Sequence, residues 1–311
     1  MGFRNSSEVA EENTQEIVRH PRLNLAIGPN CSVRCEGCYN NFGESFSNGG
    51  LVTAEEITNF AADVRARDID GVTLSGGDPL FHPEIGDILG GLHDLDYRIK
   101  VDTVGTALLE DSRIVYKGRG AVPRVDIEEV KHTLESVTLP LDGVDQGTIE
   151  NFRRGRKNIF EETKVIAHIL AEAGVDFGFN TVVNARNKHQ VKDIGRLALS
   201  LGAFEWHVFE YDPNGPNPSR QKDILRISNE EFDAAVEGLD QMPMEGMRLD
   251  LRTRDSRVGV GAYFFVNDAG EAWSPSEEGG QTKFGHITRE REKEMEAYDN
   301  HLAAFREKFP A

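Results

Sequence analysis

The three cysteines of this chain lie close together, at Cys31, Cys35 and Cys38. The other residues of the sequence include no further cysteine, so a disulfide framework does not compete as an explanation. Thiolates at this spacing can converge on one metal centre from a single loop. Three ligands are one fewer than a structural iron–sulfur cluster usually takes, and an iron without a protein ligand can bind a reactant. The spacing therefore predicts a metal centre with an open coordination position.

Zinc is the alternative occupant of such a site. Zinc sites usually combine two cysteine or histidine pairs, and this sequence has no second pair of cysteines. His20 or His82 could complete a site with three cysteines and one histidine. A zinc site therefore remains open at this point.

A second motif, Ser75-Gly-Gly-Asp-Pro79, follows the next predicted strand. Gly76 and Gly77 would let the backbone approach a ligand closely. The peptide groups at the strand end, together with Asp78, could bind a cationic ammonium group. The alternative is an ordinary turn after a strand.

Short β-rich runs alternate with amphipathic helical stretches along most of the chain. The predicted strands are Leu23–Ile27, Gly71–Leu74, Ile99–Asp102, Ser136–Leu139, Phe177–Val183 and Trp206–Glu210. The predicted helices are Thr53–Arg67, Pro83–Leu92, Gln146–Ile149, Phe160–Ala173 and Lys188–Leu201. This alternation predicts parallel β/α units with buried strands. Six such strands could form a partial barrel or an open doubly wound sheet, and the pattern does not choose between them.

Three regions depart from this alternation. The stretch Val104–Val130 is predicted to be an insertion or long loop, and the turn-rich segment Asp212–Pro218 ends the regular part. Beyond it we expect a helix at Asn229–Leu239, a strand–turn–strand unit around 263–273 and an exposed helix from Arg289. The expected organisation is a tail at 1–19, a core at 20–212 and an extension at 213–311 that caps the core.

The cysteine loop and the glycine motif, in this order, resemble the radical S-adenosylmethionine (SAM) superfamily. The resemblance covers roughly residues 22–211 and implies a partial (β/α)6 barrel. It also implies that Cys31, Cys35 and Cys38 hold a [4Fe–4S] cluster whose fourth iron is chelated by SAM. Such enzymes cleave SAM reductively to a 5′-deoxyadenosyl radical, and a flavodoxin- or ferredoxin-type protein donates the electron. The runs 206–211 and 227–232 are loosely similar to the viperin-like branch.

The resemblance implies a set of residues that contact SAM. They are Tyr39, Gly76, Gly77, Asp78, Asp142, Arg154 and Asn180. Two positions depart from the family pattern, because the aromatic residue lies at Tyr39 rather than Gly37 and the motif carries Asp78 rather than the commoner glutamate. Arg154 belongs to a basic run, 153–156, in which a guanidinium could pair with the SAM carboxylate. Two of these predictions have a structural alternative. The arginines of the run 153–156 could lie on a solvated surface, and Asn180 could form a hydrogen bond to the backbone.

Polar residues at the end of the sixth predicted strand are the candidates for substrate chemistry. His207, Glu210 and Tyr211 are expected to line the far side of the cavity, whereas Trp206 and Phe209 are expected to pack in the core or against adenine. Such side chains suit a hydroxyl-rich sugar or nucleoside. A triphosphate substrate could be bound by Lys117, Arg119 and Arg124, although the net charge of −18 argues against such a substrate.

The composition limits the partners and the location. A net charge of −18 argues against broad binding to nucleic acid or to anionic membranes. No run of eighteen apolar residues and no basic, apolar signal segment is present, and free thiols fit the reducing cytoplasm. We therefore expect a cytoplasmic protein with a small-molecule substrate.

The absence of further cysteines restricts the reaction. It disfavours auxiliary clusters and thiol quenching of a substrate radical, which leaves rearrangement, elimination, C–C bond formation or repair by a non-thiol donor such as a tyrosine. Oxidation with electron return to the main cluster also remains open. The leading hypothesis is a radical SAM enzyme of a biosynthetic pathway. Peptide modification or glycyl-radical activation is the alternative, and a non-catalytic iron–sulfur or zinc regulator is the alternative of another class.

Overall fold

One large sheet organises the part of the chain that the computed structural model describes, which is residues 20–36, 38, 50–112, 115–116, 120–213, 222–242, 244 and 246–309. Its ten strands in this part are β1 Arg22–Gly28, β2 Gly71–Gly76, β3 Arg98–Asp102, β4 Leu134–Pro140, β5 Phe177–Val183, β6 Glu205–Glu210, β7 Arg248–Arg252, β8 Phe265–Asn267, β9 Glu271–Pro275 and β10 Gln281–His286. The order across the sheet is β7-β6-β5-β4-β3-β2-β1-β8-β9-β10. The first six strands therefore lie side by side in chain order.

Helices connect these strands. They are α1 Ala54–Arg65, α2 Ile85–Asp94, α3 Ile127–Val130, α4 Gln146–Phe152, α5 Ile159–Glu172, α6 Val191–Ser200, α7 Lys222–Leu225, α8 Asn229–Val236 and α9 Arg291–Lys308. All neighbouring pairs among β1 to β6 are parallel, as expected for strands joined by helical crossovers. The expected partial (β/α)6 barrel is confirmed.

The start of α1 shows how a local sequence signal sets an element boundary. Thr53 precedes the helix and accepts a hydrogen bond from the backbone N–H of Glu56 at 3.2 Å. The Glu56 carboxylate in turn accepts the backbone N–H of Thr53 at 2.9 Å. This capping box satisfies two N–H groups that the helix cannot pair internally.

The segment predicted as an insertion, Val104–Val130, contains little regular structure among its described residues. A short ribbon pairs Val115–Tyr116 with Gly120–Ala121, and α3 closes the segment. Lys117 and Arg119 lie outside the described residues. As far as its residues are described, the segment returns the chain to β4 without adding a strand to the main sheet.

The C-terminal extension contributes to both edges of the barrel wall. Strand β7 pairs in parallel with β6, and β8 pairs in parallel with β1. Strands β9 and β10 then continue antiparallel from β8. The extension predicted as a cap therefore also widens the six-stranded wall, because its strands hydrogen-bond to the outermost strands of the core.

Helix α9 is not the exposed helix that we predicted. Met295, Tyr298, Leu302 and Phe305 are buried at intervals of three and four residues, which is the spacing of one helix face. Tyr298 meets the ring of Phe264 edge to face at 5.0 Å between centroids. The charge-rich composition concealed this apolar face. In the described residues no helix combines the length and apolarity that a membrane span requires.

The apolar face of α9 also carries a buried carboxyl group. Glu294 is 0% exposed, and neither of its carboxyl oxygens has a hydrogen-bond partner among the described residues. Burial, reinforced by the charge of Glu290, raises the pKa of Glu294 to about 8. The folded state therefore favours the protonated carboxylic acid, whereas the unfolded chain ionises near its ordinary value of 4.5.

Replacing Glu294 by glutamine should flatten the pH dependence of stability. Because the folded pKa is raised, the contribution of the acid form is fully present below about pH 4.5 and is lost as the pH rises through about 8. The wild-type free energy of unfolding should fall across this window by at most about 1.4 kcal/mol per pH unit. Urea unfolding at several pH values measures the slope. The matched control is Glu292→Gln on the exposed side of the same helix; equal slopes in both variants would contradict the prediction.

Candidate functional site

A cavity of about 990 Å³ lies inside the barrel and receives side chains from all the parallel strands. Cys31, Cys35 and Cys38 all line it. They follow the carboxyl end of β1, where the loops of parallel β/α proteins usually gather ligands. The structure therefore brings the three predicted thiols into the cavity.

The glycine motif positions the cysteine loop by direct backbone contact. The N–H of Gly77 donates to the carbonyl of Gly28 at 2.8 Å, and the N–H of Asp78 donates to that of Asn30 at 2.6 Å. A Cβ on Gly77 would lie 2.7 Å from the Gly28 oxygen and closer still to the Asn30 oxygen. Gly76 has a φ of +114°, which favours glycine. Both glycines line the cavity, and they also let the two loops run side by side.

Asp78, which we predicted to contact an ammonium group, makes its visible contacts within the protein. It is 0% exposed and is absent from the cavity lining. Its carboxylate accepts hydrogen bonds from Thr103 Oγ1 at 2.6 Å and from the N–H groups of Val104 and Leu80, both at 3.1 Å. Burial raises the pKa of Asp78 to about 6 despite these donors. The shorter aspartate thus joins the glycine motif to the loop after β3, and its contact with SAM stays a prediction.

A short ribbon holds the middle of the cysteine loop. Arg34–Cys35 pairs antiparallel with Arg153–Arg154, and the N–H of Glu36 donates to the carbonyl of Phe152 at 2.9 Å. Arg153 Nη1 donates to Cys35 Sγ at 3.3 Å. The ribbon therefore places a guanidinium directly beside one of the three thiols.

The arginine that faces the cavity is Arg153, not the predicted Arg154. Neighbouring residues on a strand point to opposite sides, and Arg154 is directed outward to pair with Glu36 at 2.8 Å. Asp142 is also withdrawn from the cavity: it is 1% exposed, forms an ion pair with Arg153 and accepts the N–H of Val182 at 2.7 Å. Neither Arg154 nor Asp142 lines the cavity, and Asp142 orients Arg153, so their contact with SAM stays a prediction.

Asn180 lies where the prediction placed it, on β5 and facing the cavity. Its Oδ1 is buried and has no hydrogen-bond partner among the described residues. Ser75 Oγ, Asp102 Oδ1 and Thr138 Oγ1 share this condition and also line the cavity. Because buried polar atoms are nearly always hydrogen-bonded, these four atoms are placed to take partners from water or from a polar ligand in the cavity. Tyr39 lies outside the described residues.

The donor set suits an iron–sulfur cluster better than a single zinc ion. His82 cannot complete a zinc site, because its Nε2 lies 3.1 Å from the Val52 carbonyl and its Nδ1 accepts the N–H of Glu84. Within the described ranges, no three cysteine, histidine or acidic side chains gather tightly enough around one point to hold a single ion. A four-iron cluster needs its ligands spread around a larger core, and thiolates are its usual ligands. The three thiols lining one cavity therefore fit a cluster.

His207 belongs to a buried network of charges on the inner face of the barrel. Its Nδ1 lies 3.1 Å from Asp250 Oδ2, and its Nε2 lies 2.8 Å from Lys100 Nζ. Glu205 forms ion pairs with Lys100 and with Arg248. Burial raises the pKa of Glu205, but the hydrogen bond from His207 and the charge of Lys100 outweigh it and lower that pKa overall. The network holds His207 in one orientation at the cavity.

Glu210 and Tyr211 also line the cavity, but they differ in whether their polar atoms have partners within the protein. The Glu210 carboxylate is held by Arg254, whose backbone N–H lies 2.9 Å from Oε2 and whose Nη2 lies 2.7 Å from Oε1. The Tyr211 hydroxyl has no hydrogen-bond partner among the described residues, and its ring packs edge to face on Phe152. Burial raises the pKa of Tyr211 to about 12, so the phenol is neutral at ordinary pH. Tyr211 is thus a free polar group, whereas Glu210 anchors an arginine.

Sequence reasoning missed the cavity residues of the extension. These are chiefly Arg252, Arg257, Tyr263, Phe265 and Trp273. Alternation in the run 248–252 was an available signal, because it places two arginines and an aspartate on one strand face. What the sequence did not reveal is that β7 and β8 join opposite edges of the barrel.

Comparisons with known proteins agree with this geometry. A family model described as the radical SAM superfamily matches residues 25–198. An AdoMet-dependent heme synthase of Methanosarcina barkeri is 31% identical over 185 residues, which are 60% of this chain and 49% of that protein. A probable GTP 3′,8-cyclase of Saccharolobus islandicus is 26% identical over 198 residues, which are 62% of this chain and 58% of that protein. The chain therefore spans about half the length of these curated relatives.

Solved structures resemble the fold over most of the chain. SuiB of Streptococcus suis bound to S-adenosylmethionine matches with a TM-score of 0.63 and 13% identity, covering 92% of this chain and 67% of that one. Native anSMEcpe with bound AdoMet matches with a TM-score of 0.62 and 14% identity, covering 94% and 85%. At such identities the likeness concerns the fold alone.

Proposed function

The chain belongs to the radical SAM superfamily, and from that premise we propose that this enzyme transforms a sugar- or nucleoside-containing small molecule in a biosynthetic pathway. Its cofactors are a [4Fe–4S] cluster and SAM, which when bound supply a 5′-deoxyadenosyl radical that abstracts hydrogen from the substrate. We infer that Cys31, Cys35 and Cys38 hold the cluster.

Residues of the chain would bind and orient SAM at this centre. Gly76, Gly77 and Asn180 line the cavity and offer backbone groups and an unpaired amide oxygen. Arg153 presents a guanidinium beside Cys35, which suits planar pairing with a carboxylate. We therefore propose that Arg153, and not Arg154 or Asp142, contacts SAM.

The observation that carries the substrate proposal is the polar lining of the cavity. Ser75, Asp102, Thr138 and Asn180 each present a buried oxygen without a partner among the described residues. SAM would use only part of this set, because the atoms lie on four different strands. A second ligand rich in hydroxyl or amide groups would satisfy the remainder.

The residues also bear on how the reaction ends. If the three cysteines hold the cluster, no cysteine of this sequence remains to quench a substrate radical. The Tyr211 hydroxyl is neutral, buried and without a hydrogen-bond partner within the described part of the chain, so it could donate a hydrogen atom to a substrate radical. The tyrosyl radical left behind would take up one proton and one electron from the flavodoxin- or ferredoxin-type donor. We propose a rearrangement, elimination or C–C bond formation, with the electron supplied by a flavodoxin- or ferredoxin-type donor.

Anaerobically reconstituted enzyme tests this proposal. The protein would be loaded with iron and sulfide, mixed with SAM and dithionite, and offered panels of nucleosides, sugar phosphates and unmodified peptides. We expect nucleosides or sugars, and not peptides, to stimulate release of 5′-deoxyadenosine. Stimulation by peptides alone would overturn the substrate proposal, and a loaded enzyme that forms no 5′-deoxyadenosine with any panel would contradict the proposed site.

A further inference from the structure

Arg257 is a cavity-lining arginine without a carboxylate partner. It lies just after β7, is half-buried and forms no ion pair with any described residue. Its Nε donates to the Thr253 carbonyl at 3.2 Å, and its Nη2 donates to the Glu210 carbonyl. Its Nη1 has no hydrogen-bond partner in the described ranges. A guanidinium has five N–H donors, so several of them remain available to a ligand.

A second guanidinium shares the same aromatic ring. The Arg252 and Arg257 guanidinium carbons lie 5.3 and 5.6 Å from the centroid of Phe209, within the range of cation–π attraction. Burial and, more weakly, the charge of Arg252 lower the pKa of Arg257, against the opposing effect of nearby acidic groups. Both positive charges therefore lie near one apolar ring, where a bound anion would offset them.

Most other arginines of the cavity have carboxylate partners; among the described residues the exception is Arg226, which is exposed. Arg153 pairs with Asp142, Arg248 with Glu205 and Arg254 with Glu210. Arg252 also contacts Asp250, through Nε at 2.6 Å, but its Nη1 turns to the hydroxyl of Tyr263 at 2.8 Å. Among the half-buried arginines of the cavity, Arg257 is thus the one without a carboxylate partner in the described residues, and Arg252 shares its aromatic neighbour Phe209.

The acidic groups near this pair leave room for an anion. Glu210 is already bound by Arg254, and Asp250 is shared between His207 and Arg252. Asp212 lies near enough to favour the charged form of Arg257 but forms no ion pair with it. The cavity lining carries as many arginine and lysine residues as acidic ones, although the chain has 53 acidic residues against 35 basic. The cavity is therefore far less acidic than the molecule around it.

An aromatic row continues from the arginine pair along the cavity wall. Tyr263, which accepts the hydrogen bond from Arg252, stacks on Phe265 at 5.3 Å between ring centroids and 23°. Phe265 stacks in turn on Trp273 at 4.7 Å and 24°. All three rings line the cavity, so a planar group could lie against the row while an attached anion reaches the arginines.

We propose that Arg257 and Arg252, held at Phe209, bind a carboxylate or phosphate group of the substrate, so that the substrate is an acidic small molecule. The aromatic row beside them receives the uncharged part of that molecule. This inference rests on the proposed function, whose substrate class it narrows, but it concerns binding and not the radical chemistry.

Binding of matched neutral and anionic compounds to the reconstituted enzyme tests the inference. Isothermal titration with SAM present would compare uridine with uridine monophosphate, and glucose with glucuronate and glucose 6-phosphate. We expect the anionic member of a pair to bind about tenfold tighter or more, because charge-assisted hydrogen bonds replace contacts with water. Comparison of the affinities for glucuronate and glucose 6-phosphate shows whether the site prefers a carboxylate or a phosphate.

Variants test whether the preference for anionic compounds comes from Arg257 or from the overall charge of the protein. Arg257→Gln should remove the preference for the anion and leave the affinity of the neutral compound within about twofold, whereas Arg257→Lys should keep part of the preference. Arg196→Gln, which removes an exposed arginine of α6, is the matched control and should change neither affinity. No preference in any pair, or a preference unchanged in both Arg257 variants, would overturn the inference. Release of 5′-deoxyadenosine by the same preparations reports separately on the proposed function.

Discussion

Replacing Cys35 by alanine should abolish cluster assembly and, with it, SAM cleavage. Cys35 is the middle thiol of the three, and the ribbon formed by Arg34–Cys35 with Arg153–Arg154 fixes its position. Two thiols would remain, which is too few to retain a cluster in a loop that faces a cavity. Iron and sulfide content, the absorbance near 400 nm and the yield of 5′-deoxyadenosine measure the loss, which we expect to be at least about 100-fold in turnover.

The control for Cys35→Ala lies in the same loop. Ser32 is not one of the proposed cluster ligands, and its hydroxyl accepts a hydrogen bond from Thr106 at 3.0 Å. Ser32→Ala should therefore disturb the loop slightly and keep the cluster. Thermal unfolding of the apoproteins should be similar for both variants. A Cys35→Ala protein that binds iron and cleaves SAM like the wild type would refute the ligand assignment.

Replacing Gly77 by alanine should displace the cysteine loop without touching a thiol. The added Cβ would lie 2.7 Å from the carbonyl oxygen of Gly28 and closer to that of Asn30, and backbone atoms cannot move aside as side chains do. The hydrogen bond from Gly77 to Gly28 and that from Asp78 to Asn30 would be strained or lost. We expect a destabilisation of about 3 kcal/mol and incomplete cluster loading, because overpacking of this kind forces backbone shifts.

A glycine with free space around it is the matched control for Gly77→Ala. Gly90 lies within α2, and a Cβ added there meets nothing within 4 Å. Gly90→Ala should therefore stabilise the protein by roughly 0.5 to 1 kcal/mol, since alanine favours the helix. Urea unfolding and iron content compare the two variants; a Gly77→Ala protein as stable and as fully loaded as the wild type would show that the two loops are not tightly coupled.

The strands and the thiols could be predicted from the sequence because their signals are local. The predicted strand Phe177–Val183 has the same bounds in the structure, and the other five predicted strands differ at their ends by one or two residues. Apolar runs of this kind have few alternatives to a buried parallel strand. The cysteine spacing is equally local, and all three thiols line one cavity.

The direction of polar side chains could not be predicted in the same way. Arg153 and Arg154 are adjacent and identical in type, and only the pairing of their ribbon decides that the first faces inward. Asp78 and Asp142 have the residue type of a ligand contact, yet backbone N–H groups, Thr103 and Arg153 satisfy them within the protein. Such outcomes depend on partners that are distant in sequence.

The parallel pairing of β8 with β1 has a consequence for the order of events in folding. Asn24 lies opposite Phe265, so one edge of the strand that leads into the cysteine loop stays open until the segment around Phe265 has been synthesised. Contacts between such distant segments form slowly. Until they form, the unpaired edge of an apolar strand can pair with other chains and aggregate. Because β1 and β6 both obtain their outer neighbours from the last third of the sequence, the nascent barrel is exposed at both edges at once. The strand that carries the cysteine loop is thereby completed only by residues far from the cysteines in sequence.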